Sequence, residues 1–488
     1  MSAGKSCKVG DDPGKPAWYK LPHYSLAVKV VAGIVLVGTF YTGVIKKNGD
    51  FQNHYRLGQG FLEGSPYLLT EDNHDPFCAH YPPGRLVLDA LFALPPYRLS
   101  RALNWALALV GLVISLRWWL RLSRPNQTTQ GAVAYAAATL ALFITLRWLV
   151  RDLADCGQQL LLVWALSAAA WWLSRGKDWS AGGVLGLAAT YKATPLLFLP
   201  LLLYKRKWGA AAVMGATILL LNVAAPVMFL GVSGMVEASK VYGNKARQII
   251  TDAGKDPTIN GVEPAKHQNR NLTFALARFL MRFEPGHPLF IAHPDDATTG
   301  GVARAGARPH PLFWQFLNLS PRSAGQVITA VLLVLGLVLA IRYRRPWHLD
   351  SGDTHFAAEW TAVMGLCAIL SPLCWGQHMV LLVPALFVVL LAHLGGGGLR
   401  RRTVAICLIA LLILGPQREL LGRELSLVLH SYKLDTVAAL LILWLVLSPK
   451  GLFRSQRGSA VRSAPHTPGY IDPTSPSEYD PRTRAASE

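Results

Sequence analysis

A small set of polar side chains in this sequence stands where its surroundings are otherwise apolar, and their types suit chemistry on an anionic, hydroxyl-bearing ligand. The motif G-D-F-Q-N-H-Y at 49–55 places a carboxylate, Asp50, just beyond the end of a long apolar run. A carboxylate held there can take a proton from a hydroxyl as that oxygen forms a new bond. It can equally be a solvated charge that helps a helix leave an apolar medium. Lys192, in T-Y-K-A-T-P, is a charge inside an apolar run, suited to a phosphate or to snorkelling toward water. Arg147 and Arg151 lie one helical turn apart beside Asp152 and Asp155, so phosphate binding competes with an internal ion-pair network.

Four further positions belong with these. Gln158 and Gln159 open an apolar run, where amides bind sugar hydroxyls or cap a helix. S-P-L-C-W-G-Q-H at 371–378 offers Trp375 for stacking on a sugar or anchoring at an interface, and His378 for a phosphate, a sugar hydroxyl or a structural bond. H-Q-N-R-N at 267–271 concentrates hydrogen-bonding groups around Asn269, although helix starts also collect asparagine. Tyr81-Pro82-Pro83 is rigid and non-helical, and either aims Tyr81 and His80 at a site or makes a turn before the helix at Arg85.

The elements that must position these groups are membrane helices. Hydrophobic residues make up 52% of the 488, and charged residues 16%, against about 25% charged in soluble domains. Mean hydropathy is +0.30. The formal net charge of +20 does not indicate nucleic acid, because Lys and Arg sit in short clusters between apolar runs rather than on one polar face. The six cysteines show no C-x-x-C and no metal-ligand spacing. Cys78 could meet Cys156 or Cys374 on one side of a membrane, a pairing the spacing does not decide.

The first apolar run, 25–45, is long enough to span and reads as a signal anchor with a cytoplasmic N-terminus, 1–24. Further spans are expected at 99–117, 131–150, 157–174, 209–231, 325–342, 356–372, 376–396, 402–416 and 434–449. Threaded in order, they put the clusters at Arg117, Arg175, Arg342, Arg400 and Lys450 all in the cytoplasm. The apolar stretch 179–204 has basic residues at both ends and is broken by Lys192 and Pro195, so it reads as a re-entrant pair of half-helices. The expected fold is an all-α polytopic membrane protein of about ten full spans plus that pair, with both termini cytoplasmic. The transmembrane domain is expected over 25–449, with external loops at 46–84 and 232–324 and a disordered cytoplasmic tail at 450–488.

As an ordered set, these segments resemble the polyprenyl-phosphate-sugar-dependent glycosyltransferases of the GT-C class, specifically glycosyltransferase family 87, which includes mycobacterial mannosyltransferases acting on phosphatidylinositol mannosides. The matching pieces are Gly49-Asp50-Phe51 with 60–67, Tyr81-Pro82-Pro83, Gly157-Gln158, G-G-V-L-G-L-A-A-T-Y-K-A-T-P at 182–195, 269–272 and S-P-L-C-W-G-Q-H-M-V-L-L-V-P at 371–384. The resemblance implies a GT-C-type bundle in the cell membrane that transfers a hexose, with mannose expected, from a polyprenyl-phosphate donor to a glycolipid or other hydroxyl acceptor on the extracytoplasmic side, with inversion. It implies Asp50 as the base and Lys192 and His378 at the donor phosphate or sugar, with Gln158 and Asn269 in the same role; Tyr81 and Arg151 are further candidates there from the residues themselves. The chain departs from the family in Gln377, where a second histidine often stands, and in an apparent insertion at 286–311. Some GT-C enzymes hold a divalent metal through a paired acidic motif in the first external loop. No D-x-D follows the first span, and Asp72 and Asp75 are wrongly spaced, so no metal and no cofactor beyond the lipid-linked donor is expected. The competing reading is a transporter or lipid-linked-sugar flippase, which would place paired charges near the bilayer midplane.

Overall fold

The computed structural model describes residues 22–46, 49–64, 81–123, 131–257, 269–283, 314–347, 349, 354–395 and 400–448. Among these the architecture is helical, with one isolated bridge between Met281 and Leu319. The helices are α1 (Pro22–Phe40), α2 (Asp50–Leu62), α3 (Gly84–Ala93), α4 (Tyr97–Ser123), α5 (Gly131–Ile144), α6 (Leu146–Leu153), α7 (Gln158–Leu173), α8 (Asp178–Tyr191) and α9 (Phe198–Tyr204). They continue with α10 (Trp208–Leu219), α11 (Ala225–Lys255), α12 (Leu272–Leu280), α13 (Pro321–Arg342), α14 (Thr354–Ile369), α15 (Val383–Gly395), α16 (Arg400–Leu414), α17 (Arg418–Ser431) and α18 (Leu434–Leu447).

Each expected span contains a helix, but length divides them. Among the described residues, 5 helices are long and apolar enough to cross a membrane, or up to 6 if the bent pair α5–α6 is one span. Gln158–Leu173 and Leu434–Leu447 are among the shorter apolar helices. At 16 and 14 residues they rise roughly 24 and 21 Å, less than the roughly 30 Å of a hydrocarbon core. The span expected at 131–150 is bent by 70° at Thr145, whose hydroxyl bonds back to the Ala141 carbonyl at 2.7 Å. The expected external loop 232–324 begins as helix, because α11 continues to Lys255 past a break at Gly231. The expected loop 46–84 likewise contains α2, so Asp50 opens a helix rather than lying in a coil. The segment 286–311, the tail 450–488 and residues His80 and Cys78 lie outside the described residues, whereas Cys156 and Cys374 are buried free thiols.

The re-entrant expectation can be followed in the packing. The Tyr191 hydroxyl reaches the Gln158 carbonyl at 3.4 Å, so α8 runs antiparallel to α7. Gly182 faces Ala210 and Gly186 faces Met214, so α8 and α10 run parallel. The chain therefore returns between them, through a break at Lys192, a 3-10 turn at Thr194–Leu197 and α9, to the level where it started: Gly209 faces Asp178. The same end of the bundle gathers other basic residues. Arg121 and Arg175 both lie over Trp171, at 5.8 and 4.3 Å. Lys205 bonds the carbonyls of Tyr343 and Arg345 and the carboxylate of Glu359 at 2.6, 2.5 and 2.6 Å. The polar groups of interest sit at the other end, where α7 begins and α8 stops.

Candidate active site

Asp50 is the first residue of α2, a helix whose Phe51, His54, Tyr55, Gly58 and Phe61 are buried at helical spacing. Phe51 and Tyr55 pack with Ala93 and Cys156, and the Tyr55 hydroxyl donates to the Pro95 carbonyl at 2.9 Å. A Cβ at Gly58 would stand 2.1 Å from the Asp89 carbonyl, so α2 lies directly against the backbone of α3. Asp50 itself is half-buried. Its charge reaches His54, Tyr81 and Lys192.

His54 and Asp89 are fully buried, with imidazole Nδ1 3.0 Å from a carboxylate oxygen. The other oxygen of Asp89 accepts from Arg85 Nε at 2.7 Å. Burial and, secondarily, the Arg85 charge hold the His54 pKa below that of a free histidine, against the pull of Asp89. Tyr81 sets its ring edge-on to His54 at 5.0 Å, and burial pushes its hydroxyl pKa up. Pro82 and Pro83 lead into α3, and Tyr81 packs against His54.

Lys192 is the C-cap of α8 in extended conformation, half-buried, with Nζ 3.3 Å from Gln159 Oε1. Gln158 is buried, and its Nε2 has no hydrogen-bond partner among the described residues. The internal network open to Arg147 and Arg151 does not form through Asp152. Both oxygens of Asp152 accept from the backbone N–H groups of Gln159 and Leu160, at 3.0 and 2.9 Å, capping α7.

Arg151 reaches instead toward the 371–378 segment. A Cβ on Gly376 would lie 2.9 Å from Arg151 Nη1 and 3.1 Å from Arg270 Nη1, so two guanidiniums converge on one backbone position. Arg270 Nε is ion-paired with Asp435. The buried Nη1 of Arg147 has no hydrogen-bond partner among the described residues. His378 Nδ1 accepts from the Trp375 N–H at 2.9 Å, which leaves the neutral ring's proton on Nε2 as a donor. The charges of Lys192 and Arg270 both bear on His378, whose ring also bonds the Leu373 backbone.

Asn269 has a different part. Its Nδ2 donates to the Pro372 carbonyl at 2.9 Å, and its Oδ1 accepts from the N–H groups of Asn271 and Cys374, both at 3.1 Å. Its carbonyl accepts from the buried Lys433 Nζ at 2.6 Å. These bonds tie the 269–271 segment to the 372–374 segment that leads to Gly376, at the amide the sequence reading assigns to the donor. Three residues that the sequence reading did not single out as ligands or supports are Arg270, Arg85 and His54. Arg85 and Asp89 carry the one signal that was available, an i,i+4 pair of opposite charge in an otherwise apolar helix.

The family model of glycosyltransferase family 87 matches residues 79–255. Alpha-(1->3)-arabinofuranosyltransferase of Corynebacterium glutamicum is 29% identical over 209 residues, covering 42% of this chain and 48% of the relative. The chain thus spans about half the length of the curated relative it matches. No solved structure matches the chain.

Proposed function

We propose that this chain, a membrane glycosyltransferase of family 87, transfers a glycosyl residue from a polyprenyl-phosphate donor to an acceptor hydroxyl, with inversion and without a metal. What carries the reading is that contacts among His54, Asp89, Arg85 and Tyr191 join the helix of the half-buried carboxylate Asp50 to Lys192, while Arg151 and Arg270 converge at Gly376. Asp50 takes the proton of the acceptor hydroxyl, the acceptor oxygen bonds to the anomeric carbon, and the bond from that carbon to the phosphate oxygen breaks with its electron pair. The phosphodiester leaves as a phosphomonoester with one more negative charge. Cations and donors already aimed at it therefore stabilise the transition state more than the ground state. Lys192, the Nε2–H of His378, Arg151 and Arg270 are placed for that role, and Gln158 offers an unfilled donor to a sugar hydroxyl.

The site lies at the end of the bundle opposite the basic residues around Trp171 and Lys205. The positive-inside rule supports the reading that this end faces the extracytoplasmic side of the cell membrane. The family match argues for an enzyme over the transporter or flippase reading. Mannose follows from the resemblance, while the matched relative is named for an arabinofuranosyl residue, so a pentofuranose is the second reading for the sugar. The acceptor is a glycolipid or another hydroxyl-bearing molecule.

Purified protein offered polyprenyl-phosphate mannose or polyprenyl-phosphate arabinofuranose with EDTA present, and candidate acceptors, should release polyprenyl phosphate from one of them. Asp50→Asn should lower that rate by roughly a hundred- to ten-thousandfold, the contribution of a positioned general base. Equal release by both proteins would take Asp50 out of the chemistry. Release abolished by EDTA and restored by a divalent ion would overturn the metal-free mechanism.

A further inference from the structure

Asp50 and Lys192 come from segments far apart in the chain, yet one buried group of side chains joins the helices that carry them. Arg85 is at its centre. Its Nε bonds Asp89 at 2.7 Å, its Nη1 donates to the Tyr191 carbonyl at 2.7 Å, and its guanidinium lies 3.6 Å from the centre of the Tyr191 ring. Tyr191 immediately precedes Lys192. On the other side, Asp89 meets His54, one helical turn after Asp50 on the same helix, and Arg85 Nη2 is also 3.0 Å from His54 Nδ1. The relative exposures of Arg85, Asp89 and His54 are 2%, 0% and 1%, so the three are sealed from solvent.

We infer that His54, Asp89 and Arg85 are positioning residues that fix the spacing between Asp50 and Lys192, and so hold the base and the phosphate-facing cation in register for transfer. This rests on the roles proposed above for Asp50 and Lys192. The physical grounds are three. A planar guanidinium bonded along its edge and stacked on its face has little freedom left, which a lysine at the same place would not reproduce. The close approach of Gly58 to the Asp89 carbonyl means that α2 has no soft layer between it and α3. The linkage is also asymmetric. His54 lies on the Asp50 helix and meets Asp89 and Arg85, whereas Arg85 itself bonds the carbonyl of Tyr191, the residue before Lys192.

That asymmetry gives a signature that a merely structural role would not. Steady-state kinetics and thermal unfolding would be measured on the full chain in detergent or nanodiscs, with whichever polyprenyl-phosphate sugar the wild type turns over. His54→Phe keeps ring volume but loses the bond to Asp89, and kcat should fall roughly 10- to 100-fold with donor KM unchanged, the loss expected from misplacing a reacting group by about 1 Å. His54→Asn can still present a donor to Asp89 and should recover kcat to within about threefold of wild type. Arg85→Lys should lower kcat to a similar degree and also raise donor KM several-fold, because it releases the Lys192 side as well. Wild-type kcat in His54→Phe and Arg85→Lys, or losses that merely follow unfolding temperature with no rescue by asparagine, would overturn the inference while leaving Asp50 as the base. A wild type whose turnover is indifferent to Asp50→Asn would instead remove the underlying reading, and the inference with it.

Discussion

Around Asp50 the buried charges are mutually satisfied: Arg85 meets a carboxylate, a carbonyl and an aromatic face, and His54 completes the coordination of Asp89. Around Gly376 they are not. Arg151 and Arg270 crowd one backbone position, Asp435 supports Arg270, and a buried nitrogen of Arg147 stays unfilled among the described residues. Leaving buried donors unmade is costly, and two like charges brought together cost more. A fold tolerates such an arrangement where an anion completes it. On the function proposed above, the first half would hold geometry, and the second, where three arginines gather around Asp435, would receive the charge of the leaving group. This is the division expected when the substrate brings its own leaving group and the protein supplies only a base and electrostatic support.

If that contrast is sound, disturbing the cation-rich half should show first in binding of the leaving group. Arg151→Gln should weaken binding of polyprenyl phosphate roughly 10- to 100-fold, the worth of one charge-assisted hydrogen bond of about 1.5–3 kcal/mol, and lower turnover by as much or more. Gly376→Ala offers a subtler probe, because its methyl group would press on the side chains of Arg151 and Arg270. The protein should fold, and polyprenyl-phosphate affinity should drop by a smaller factor than in Arg151→Gln. Titration calorimetry or ligand-shifted unfolding with polyprenyl phosphate alone reads both. An affinity equal to wild type in Arg151→Gln would mean that the guanidiniums serve the fold and not a ligand.

Asn269 tests the boundary between support and ligand. Its amide closes bonds to Pro372, Asn271 and Cys374. Removing it in Asn269→Ala orphans buried groups and should cost about 1–3 kcal/mol of stability per group left without a partner, offset where the loop can relax. Polyprenyl-phosphate affinity should fall less than in Arg151→Gln. A loss of affinity with no loss of unfolding temperature would return Asn269 to the ligand-binding set.

The sequence carried the membrane class and the break in the 179–204 stretch, because both rest on local signals: apolar runs, their basic flanks, and a lysine and proline that interrupt one of them. It carried Asp50, Lys192 and His378 as polar groups in an apolar setting. It did not carry their connections. That Asp152 caps α7 instead of pairing with Arg151 depends on a tight turn through Cys156 and Gly157, both at positive φ, which folds the chain back on itself within a few residues. That Asn269 ties its segment to Pro372 depends on a residue 103 positions away in the chain. The expected count of about ten full spans rests on the same kind of local signal. Hydropathy alone cannot separate a full crossing from a 14- to 16-residue helix that stops at a polar site, such as Gln158–Leu173 or Leu434–Leu447.

The smallest predicted effect concerns the satisfied half, and it follows from the charge state of His54. An unfolded histidine protonates near pH 6.5, whereas burial and the neighbouring Arg85 hold folded His54 neutral to lower pH. Between those points the unfolded chain binds more protons than the native one, so stability is fully present above about pH 6.5 and is lost as pH falls toward the folded value. His430, whose pKa burial pushes down to about 3, acts with the same sign. Unfolding temperature should therefore decline from pH 7 to pH 5. The decline should flatten in part in His54→Asn, by up to about 1.4 kcal/mol for each pH unit separating the two states of His54, and the His430 contribution should remain. A steeper acid decline in His54→Asn would mean that His54 is protonated in the native protein, bonded to Asp89 as a cation. The Asp50 side would then be charged in its own right, and the contrast between the two halves of the site would have to be drawn on geometry alone.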